Sequence, residues 1–315
     1  MISVVCPVFN EAEYVHQLIS FFIAAKPVQK ELIIVDGNST DNTVGIIQKF
    51  LVNNSNIILL HNENRTVPYA LNMALVKCKY DIIVRLDAHT NYASNYFEKI
   101  LETFETTNAD IVGGPMHAVG VTSLQKAIAN ATSSILGVGN SSFHNIKASG
   151  FVDTVYLGAW KRSIFEKTGV FDVRFKRNQD DEFHYRAKSM GYKIYLNPDI
   201  KSSYYPRNSY FKLGKQYFQY GLYKPMVLKK IKSSVKLRHL IPSAFVLYVL
   251  FLLPIAVSLT WLLWPLVLYV ILILYFPFLC SGSLSQKLLQ CLAYPVIHFS
   301  YGCGFLMGLI KNPAK

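Results

Sequence analysis

Three carboxylates stand in a row at Asp180-Asp181-Glu182, after Asn178-Gln179 and before Phe183-His184-Tyr185-Arg186. Like charges this close oppose one another's ionisation, so one carboxylate can keep a raised pKa and serve as a base towards a hydroxyl. The run also reads as an acidic first turn that stabilises a helix N-terminus, which suits Asp181 or Glu182 even where Asp180 does chemistry. Arg85-Leu86-Asp87-Ala88-His89 places a carboxylate and an imidazole two residues apart. Imidazole is a poor ligand for Mg2+ and an acceptable one for Mn2+; a loop histidine beside a working Asp87 is the plain alternative. Asp36-Gly37, followed by Ser39 and Asp41, offers acceptors to a ligand, or forms a turn, since Asp-Gly is a favoured turn dipeptide. Asp41 suits the N-cap of the next helix.

These residues lie at the ends of apolar runs. Ile2–Val8, Leu32–Val35, Ile57–Leu60, Asp81–Leu86 and Asp110–Val112 read as short buried strands. Between them are four segments of helical length: Glu11–Ala25, Asp41–Val52, Thr66–Lys77 and Ser94–Thr106. In the first, Val15, Leu18, Ile19, Phe22 and Ile23 recur at three- and four-residue steps, the pattern of one helix face. Repeated strand–helix–strand units predict an α/β fold with a mixed, mainly parallel sheet and helices on both faces. Ligands of such sheets bind beyond the carboxyl ends of the strands, where Asn10-Glu11, Asp36, Asp87 and His89 fall. Residues 117–150, rich in small side chains, receive no assignment.

The charge of the chain is divided. All 19 acidic residues precede residue 200, whereas 13 of the 32 basic residues follow it, and the net charge of +13 therefore belongs to the last third. The 48 residues from His239 to Gln286 carry no Asp, Glu, Lys or Arg. Since a crossing takes ~20 apolar residues, this stretch predicts two membrane helices, about 240–259 and 261–279. Leu288–Ile310, interrupted by Gln290, Pro295, His298 and three glycines, is a third candidate that spans, re-enters or packs inside the bundle. The domains read as 1–225, a folded cytosolic unit; 226–239, a basic juxtamembrane collar; and 240–310, a membrane region. The collar orients the chain with its front in the cytosol, and no basic n-region followed by an apolar h-region opens the sequence. The five cysteines show no CxxC spacing, which argues against structural zinc and disulfides. Positive charge next to apolar spans, behind a neutral front, argues against nucleic acid as the partner.

Five patterns follow one another: Pro7-Val8-Phe9-Asn10-Glu11; Val35-Asp36-Gly37-Asn38-Ser39-Thr40-Asp41-Asn42-Thr43; Arg85-Leu86-Asp87-Ala88-His89; Asn178-Gln179-Asp180-Asp181-Glu182; and Gln216-Tyr217-Phe218-Gln219-Tyr220. In this order they resemble the family 2 glycosyltransferases, inverting enzymes of the GT-A fold, and within them the membrane-anchored, succinoglycan-type bacterial exopolysaccharide enzymes. The resemblance implies a nucleotide-sugar donor bound by Pro7, Phe9, Glu11, Asp36, Arg65 and Asp87, with Phe9 standing where Tyr is usual. It implies a divalent metal on Asp87 and His89, Mn2+ favoured over Mg2+, with His89 in place of the family's second Asp. Asp180, six residues before Arg186, is the implied base, with Asp181 as runner-up because Gln179 replaces the usual Glu. Trp160, Asp181, Gln216, Gln219 and Tyr220 fall on the acceptor side, and Gly158-Ala159-Trp160 falls at the acceptor-side loop. Asn72 and Asp153 are further lining residues on the same ground.

The expected activity is transfer of a single sugar, from a UDP-sugar first among donors, to a lipid-linked (polyprenyl diphosphate) glycan in exopolysaccharide or surface glycan synthesis. The expected location is the bacterial cytoplasmic (inner) membrane, multi-pass, with other polysaccharide-assembly proteins as candidate partners. Two alternatives stand beside it. A processive polysaccharide synthase is disfavoured because Gln219-Tyr220 lacks the Arg and Trp of the processive motif. A non-catalytic scaffold paralogue is disfavoured by the retained Asp36, Asp87 and Asp180.

Overall fold

The computed structural model describes residues 1–311 and 313. The chain runs β1 (Ile2–Val8), α1 (Val15–Ala24), β2 (Lys30–Asp36), α2 (Thr43–Leu51), β3 (Ile57–His61), α3 (Val67–Lys77) and β4 (Ile82–Arg85). Next come β5 (Thr90–Tyr92), α4 (Tyr96–Thr106), β6 (Ile111–Gly114), β7 (His117–Ala118), α5 (Ser123–Ser133) and α6 (Ile135–Val138). It continues with β8 (Gly150–Phe151), β9 (Tyr156–Lys161), α7 (Ile164–Thr168), α8 (Gln179–Ser189), β10 (Ile194–Leu196) and β11 (Ser202–Tyr204). The helices α9 (Tyr210–Lys230), α10 (Leu237–Leu247), α11 (Trp264–Tyr275) and α12 (Leu284–Ile310) complete it.

Two compact units result: Met1–His117 with Asn145–Tyr204, and Ala118–His144 with the chain from Tyr205 onward. Residue 225, the expected boundary, lies inside α9, which runs on through the first residues of the collar and ends at Lys230. Residues 118–144, unassigned from sequence, are helical and belong to the second unit.

In the first unit the described residues form an eight-stranded sheet of order β3-β2-β1-β4-β9-β6-β10-β8. β1 to β4 are mutually parallel and β10 is parallel to β6. β9 enters antiparallel between β4 and β6, and β8 pairs antiparallel with β10. The α/β class, with a mixed but mainly parallel sheet, is therefore as the sequence predicts. Side chains alternate along a strand, so each face takes its own helices. Ile2, Val4, Cys6 and Val8 meet Leu32, Ile34 and Val84 in a core closed by Val15, Leu18, Ile19 and Phe22 of α1, Ile47 of α2, and Phe97 and Ile100 of α4. Each such buried side chain contributes about 1.5–3 kcal/mol. Ile23, also apolar and in register, is exposed instead. The other face carries α3, against β1 and β2, and an aromatic group in which Phe171 and Phe183 pack edge-on to Trp160 of β9.

In the second unit α9 runs alongside α12, with glycines where the backbones meet. A Cβ on Gly304 would strike the carbonyl of Phe218, and one on Gly221 would strike that of Tyr301. Close approach through small residues is how helices associate where lipid replaces water. Ile128 and Ala131 of α5 join Leu213, Tyr217, Ala293, Tyr294 and Ile297 in this core. The α5–α6 segment is also tied by hydrogen bonds: the Ser134 hydroxyl donates to the Tyr294 hydroxyl (3.1 Å), and His298 Nε2 donates to the Leu136 carbonyl (2.8 Å).

Among the described residues three helical stretches are long and apolar enough to cross a membrane: Leu237–Ala256, Thr260–Leu279 and Leu284–Ile310. The third is one unbroken helix despite Pro295, opened by a capping box between Ser283 and Gln286. Its Gln290 is buried and donates to the Tyr294 hydroxyl one turn on, at 2.8 Å.

Candidate active site

The parallel register brings the ends of β1 and β2 level, Val8 beside Asp36, and sets Val5 opposite Arg85. The loops that follow therefore emerge at one edge of the sheet. They are joined by side chains. The Asp36 carboxylate is 1% exposed and is used by its own turn. It accepts from the backbone N–H of Asn38 (3.0 Å) and of Ser39 (3.1 Å), and from the Ser39 hydroxyl (2.5 Å). That hydroxyl in turn accepts from the Asn10 N–H at 2.9 Å, linking the second loop to the first. Asn10 and Asn38 both have positive φ, 55° and 65°, a conformation Asn tolerates better than most residues.

Asp41 performs a related task. The helix N-cap is Asn42 rather than Asp41. Asp41 still accepts from the Thr43 N–H (3.0 Å) and hydroxyl (2.5 Å), and also from the Ala12 N–H (3.1 Å). Phe9, 48% exposed, presents its ring beside these loops, and Pro7 is half-buried. Arg65 is exposed on the loop after β3, with its N–H donating to the Asn62 carbonyl (3.1 Å); Asn62 donates to the Asp36 carbonyl (2.7 Å).

The end of β4 carries the strongest electrostatics. Arg85 is buried, and its guanidinium serves two carboxylates. Nε and Nη2 each lie 3.0 Å from Asp87 Oδ1, and Nη1 lies 2.6 Å from Asp180 Oδ2. Burial alone would lower the guanidinium's pKa, but the charges of Asp180 and Asp87 outweigh it and hold it raised. Arg85 is permanently cationic in this setting. Asp180 Oδ1 is enclosed and has no hydrogen-bond partner among the described residues, although the side chain as a whole is 31% exposed. The accessible part of the carboxylate is therefore on the Oδ2 side.

Asp87 is fixed through its backbone as well. Its N–H donates to the Tyr92 hydroxyl (2.7 Å), which donates to the Asp87 carbonyl (3.0 Å). Burial first, then neighbouring Tyr96 and Asp87, pushes the Tyr92 hydroxyl well above its usual pKa, so it stays a donor. His89 Nδ1 lies 2.9 Å from Glu11 Oε1, joining the β4 loop back to the β1 loop. A continuous series of contacts thus runs from Asp36 through Ser39 and Asn10–Glu11 to His89, and from Asp87 through Arg85 to Asp180.

Asp180, Asp181 and Glu182 do form the acidic first turn of a helix, α8. Asp181 is half-buried. Glu182 is fully buried and takes Arg186 at 2.8 and 2.9 Å. Arg186 in turn donates to the carbonyls of Thr168 and Val170, pinning the loop after α7 to α8.

Two acceptor-side expectations are placed elsewhere. Gly158-Ala159-Trp160 is part of strand β9, hydrogen-bonded to β4 and β6, and not a loop. Trp160 is 0% exposed, so it has no face for a sugar; its indole N–H donates to His184 Nε2 at 3.3 Å. Because an indole can only donate, His184 is neutral with its proton on Nδ1, which reaches the Thr154 hydroxyl at 2.8 Å. Burial lowers the His184 pKa against the opposing pull of Asp180 and Asp181. Asn72 pins the loop at Phe171 through two hydrogen bonds, and Asp153 pairs with Lys188 (2.5 Å). Gln216, Gln219 and Tyr220 lie on α9 of the second unit, where Gln216 donates to the Tyr220 hydroxyl (2.8 Å).

Sequence reasoning missed Arg85. The signal was present: a charged residue inside the apolar run Ile82-Ile83-Val84 must be paired if the strand is buried.

Among the described residues no three His, Cys, Asp or Glu side chains are grouped as a metal cage. Asp87 and His89 are partly exposed, at 21% and 44%. One carboxylate and one imidazole fit a cation that completes its shell with substrate phosphates and water, and the imidazole suits Mn2+.

Residues 3–169 match the domain described as Glycosyl transferase family 2. The chain is 31% identical over 244 residues to the succinoglycan biosynthesis protein ExoA of Rhizobium meliloti (strain 1021), covering 76% of this chain and 74% of that protein. It is 30% identical over 325 residues to the dolichyl N-acetyl-alpha-D-glucosaminyl phosphate 3-beta-D-2,3-diacetamido-2,3-dideoxy-beta-D-glucuronosyltransferase of Methanococcus voltae, covering 99% of this chain and 98% of that one. Among solved structures, the mannosyltransferase PcManGT from Pyrobaculum calidifontis, in complex with GDP-Man and Mn2+, shares the fold. Its TM-score is 0.61 at 16% identity, over 99% of this chain and 86% of that one.

Proposed function

The chain belongs to glycosyl transferase family 2, a nucleotide-sugar-dependent glycosyltransferase of the GT-A fold, and from that premise we propose an inverting transfer of one sugar to a lipid-linked glycan with Asp180 as the base. The observation that carries this reading is the single guanidinium of Arg85 bonded to both Asp87 and Asp180. It sets a donor-side carboxylate and a base candidate at one point of the sheet edge.

In this reading Phe9 stacks on the nucleobase, while the turn organised by Asp36, with Pro7, Glu11 and Arg65, shapes the nucleotide pocket. Asp87 and His89 hold the divalent metal, Mn2+ in preference to Mg2+, which when bound offsets the charge of the diphosphate. The acceptor hydroxyl attacks the anomeric carbon and gives its proton to Asp180. The bond from that carbon to the diphosphate breaks, and its electron pair leaves with the nucleotide diphosphate. Asp181, half-buried beside Asp180 on the same helical turn, lies on the acceptor side.

The acceptor class is supported by the basic stretch and the three apolar helices. Lys229, Lys230 and Lys232 are exposed next to the helix that begins at Leu237. Such a collar draws anionic headgroups, and a polyprenyl diphosphate presents its sugar at that level. The dolichyl phosphate in the name of the Methanococcus voltae relative agrees with this class. Gln216, Gln219 and Tyr220 of α9 are the acceptor-side residues of the second unit. The setting is the cytoplasmic membrane, multi-pass, with the first unit in the cytosol and polysaccharide-assembly proteins as neighbours.

The test is a panel of UDP-, GDP- and dTDP-sugars with Mn2+, read by thermal shift on the full chain in detergent. It is followed by transfer assays with the binding sugar and short polyprenyl diphosphate acceptors. One donor should stabilise the wild type and Asp180→Asn alike, and only the wild type should form product. Turnover by Asp180→Asn at the wild-type rate removes Asp180 from the base role.

A further inference from the structure

We propose that Arg85 is a positioning residue that couples the donor-side carboxylate to the base, so that Asp180 Oδ2 is held towards the acceptor only by a guanidinium that also holds Asp87. The inference rests on the reading of Asp87 and Asp180 given above. Arg85 belongs to none of the expected site residues; it comes from the contacts alone.

The geometry requires an arginine. Asp87 takes Nε and Nη2, both at 3.0 Å to Oδ1, and Asp180 takes Nη1 at 2.6 Å. A planar fork with five donors can serve two carboxylates at fixed angles, whereas an ammonium is a point charge on a flexible stem. The two carboxylates come from segments 93 residues apart, Asp87 after β4 and Asp180 in the first turn of α8. Among the described residues, Asp180 has no hydrogen bond at Oδ1. Arg85 is thus what sets the direction of its carboxylate. Other charged or titratable groups near Asp180 are Asp181 and the buried Glu182 on the same turn, with Glu182 committed to Arg186, and His184 one turn on, committed to Trp160 and Thr154.

The arrangement also gives a sequence of charges. Before transfer, one cation faces two anions. When Asp180 takes the acceptor's proton it becomes neutral, and Arg85 keeps only Asp87 as counter-charge. At the same moment the nucleotide diphosphate departs with an additional negative charge. Arg85 then supplies the positive charge that the step has released, without changing its own protonation. The Tyr92 clamp on the Asp87 backbone keeps the donor side of this coupling in place while Asp180 changes state.

Arg85→Lys and Arg85→Gln separate positioning from folding and from plain charge. The full chain is purified in detergent, its melting point is recorded, and it is titrated calorimetrically with the nucleoside diphosphate of the donor found above plus Mn2+. Saturating transfer rates are then measured. Arg85→Lys keeps one charge, so nucleotide affinity should stay within about threefold of wild type while kcat falls about 100-fold, the scale of a misdirected general base. Arg85→Gln leaves two carboxylates facing an anionic ligand, and both affinity and kcat should fall. In an Asp180→Asn background, Arg85→Lys should cost no further residual transfer, because its effect runs through Asp180.

Arg85→Lys turnover within threefold of wild type, alongside an inactive Asp180→Asn, overturns the coupling and leaves the functional reading intact. A further loss of residual transfer in the Asp180→Asn background, matching the loss in wild type, also overturns it, since a structural role multiplies in both. An active Asp180→Asn sinks the functional reading itself, a result visible without any Arg85 variant.

Discussion

His89 Nδ1 lies 2.9 Å from Glu11 Oε1, so a carboxylate from the β1 loop braces the imidazole at the end of β4. An ionised carboxylate only accepts, which assigns the proton to Nδ1 and, in the neutral ring, the lone pair to Nε2. A carboxylate behind a histidine is the usual way of fixing the ring that ligates a cation.

His89→Ala should weaken Mn2+-dependent binding of the nucleoside diphosphate by about tenfold or more, and Glu11→Gln should weaken it in the same direction by loosening the ring. Calorimetric titration with and without Mn2+ reads both effects without any transfer. Unchanged Mn2+ affinity in His89→Ala would leave His89 as a loop residue and Asp87 as the metal's protein ligand.

Asp36 invites a two-part measurement because its oxygens are already used by the turn they organise. Asp36→Asn exchanges an acceptor oxygen for an NH2 facing the N–H groups of Asn38 and Ser39. Unpaired buried donors cost about 1–3 kcal/mol, so the melting point should fall by several degrees. Nucleotide affinity should fall as well, since Asn10 and the Phe9 loop are tied to Ser39. A lowered melting point with wild-type affinity would confine Asp36 to the turn.

His184 predicts the acid side of stability. Its folded pKa is lowered, chiefly by burial, while the unfolded ring titrates near 6.5. Below that pH the unfolded state binds the extra proton and the folded state does not. Stability therefore falls as pH drops, by at most about 1.4 kcal/mol per pH unit, until the native ring titrates too. Replacing His184 by Gln should lower the melting point at pH 7 yet flatten its decline between pH 7 and pH 5. Parallel declines in the two proteins would mean that His184 is not the group responsible. Trp160→Phe should destabilise at every pH, because it removes the donor that His184 Nε2 accepts.

Much of this was legible because parallel strands announce themselves twice, as apolar runs and as polar residues at their carboxyl ends. The runs from Ile2, Leu32, Ile57 and Asp81 became β1 to β4, and the polar ends became the joined loops. Trp160 is different. Nothing in Gly158-Ala159-Trp160 tells a strand sandwiched between two others from a loop, since its pairing partners in β4 and β6 lie 47 to 77 residues away and only the fold brings them together. Arg85 shows the opposite limit: its misfit with an apolar strand was visible, but its two partners were not. The segment Ala118–His144 could not be read because its apolar face packs on α9 and α12, more than 80 and more than 160 residues later.

Gly304 offers a test of how the second unit holds together. A Cβ at this position would collide with the carbonyl of Phe218, backbone that cannot swing aside as a side chain can. Where two helix backbones approach this closely, dispersion contacts accumulate along both of them. Gly304→Leu must therefore separate α9 from α12. The cost should be about 3 kcal/mol or more, at the upper end for overpacking, because contact is lost along both helices rather than at one site. Leu309→Ala, on an exposed position of the same helix, changes apolar surface without touching that contact and should be nearly neutral. Melting of both variants in detergent separates the cases: a clear drop for Gly304→Leu alone supports close helix packing, and equal behaviour of the two variants refutes it.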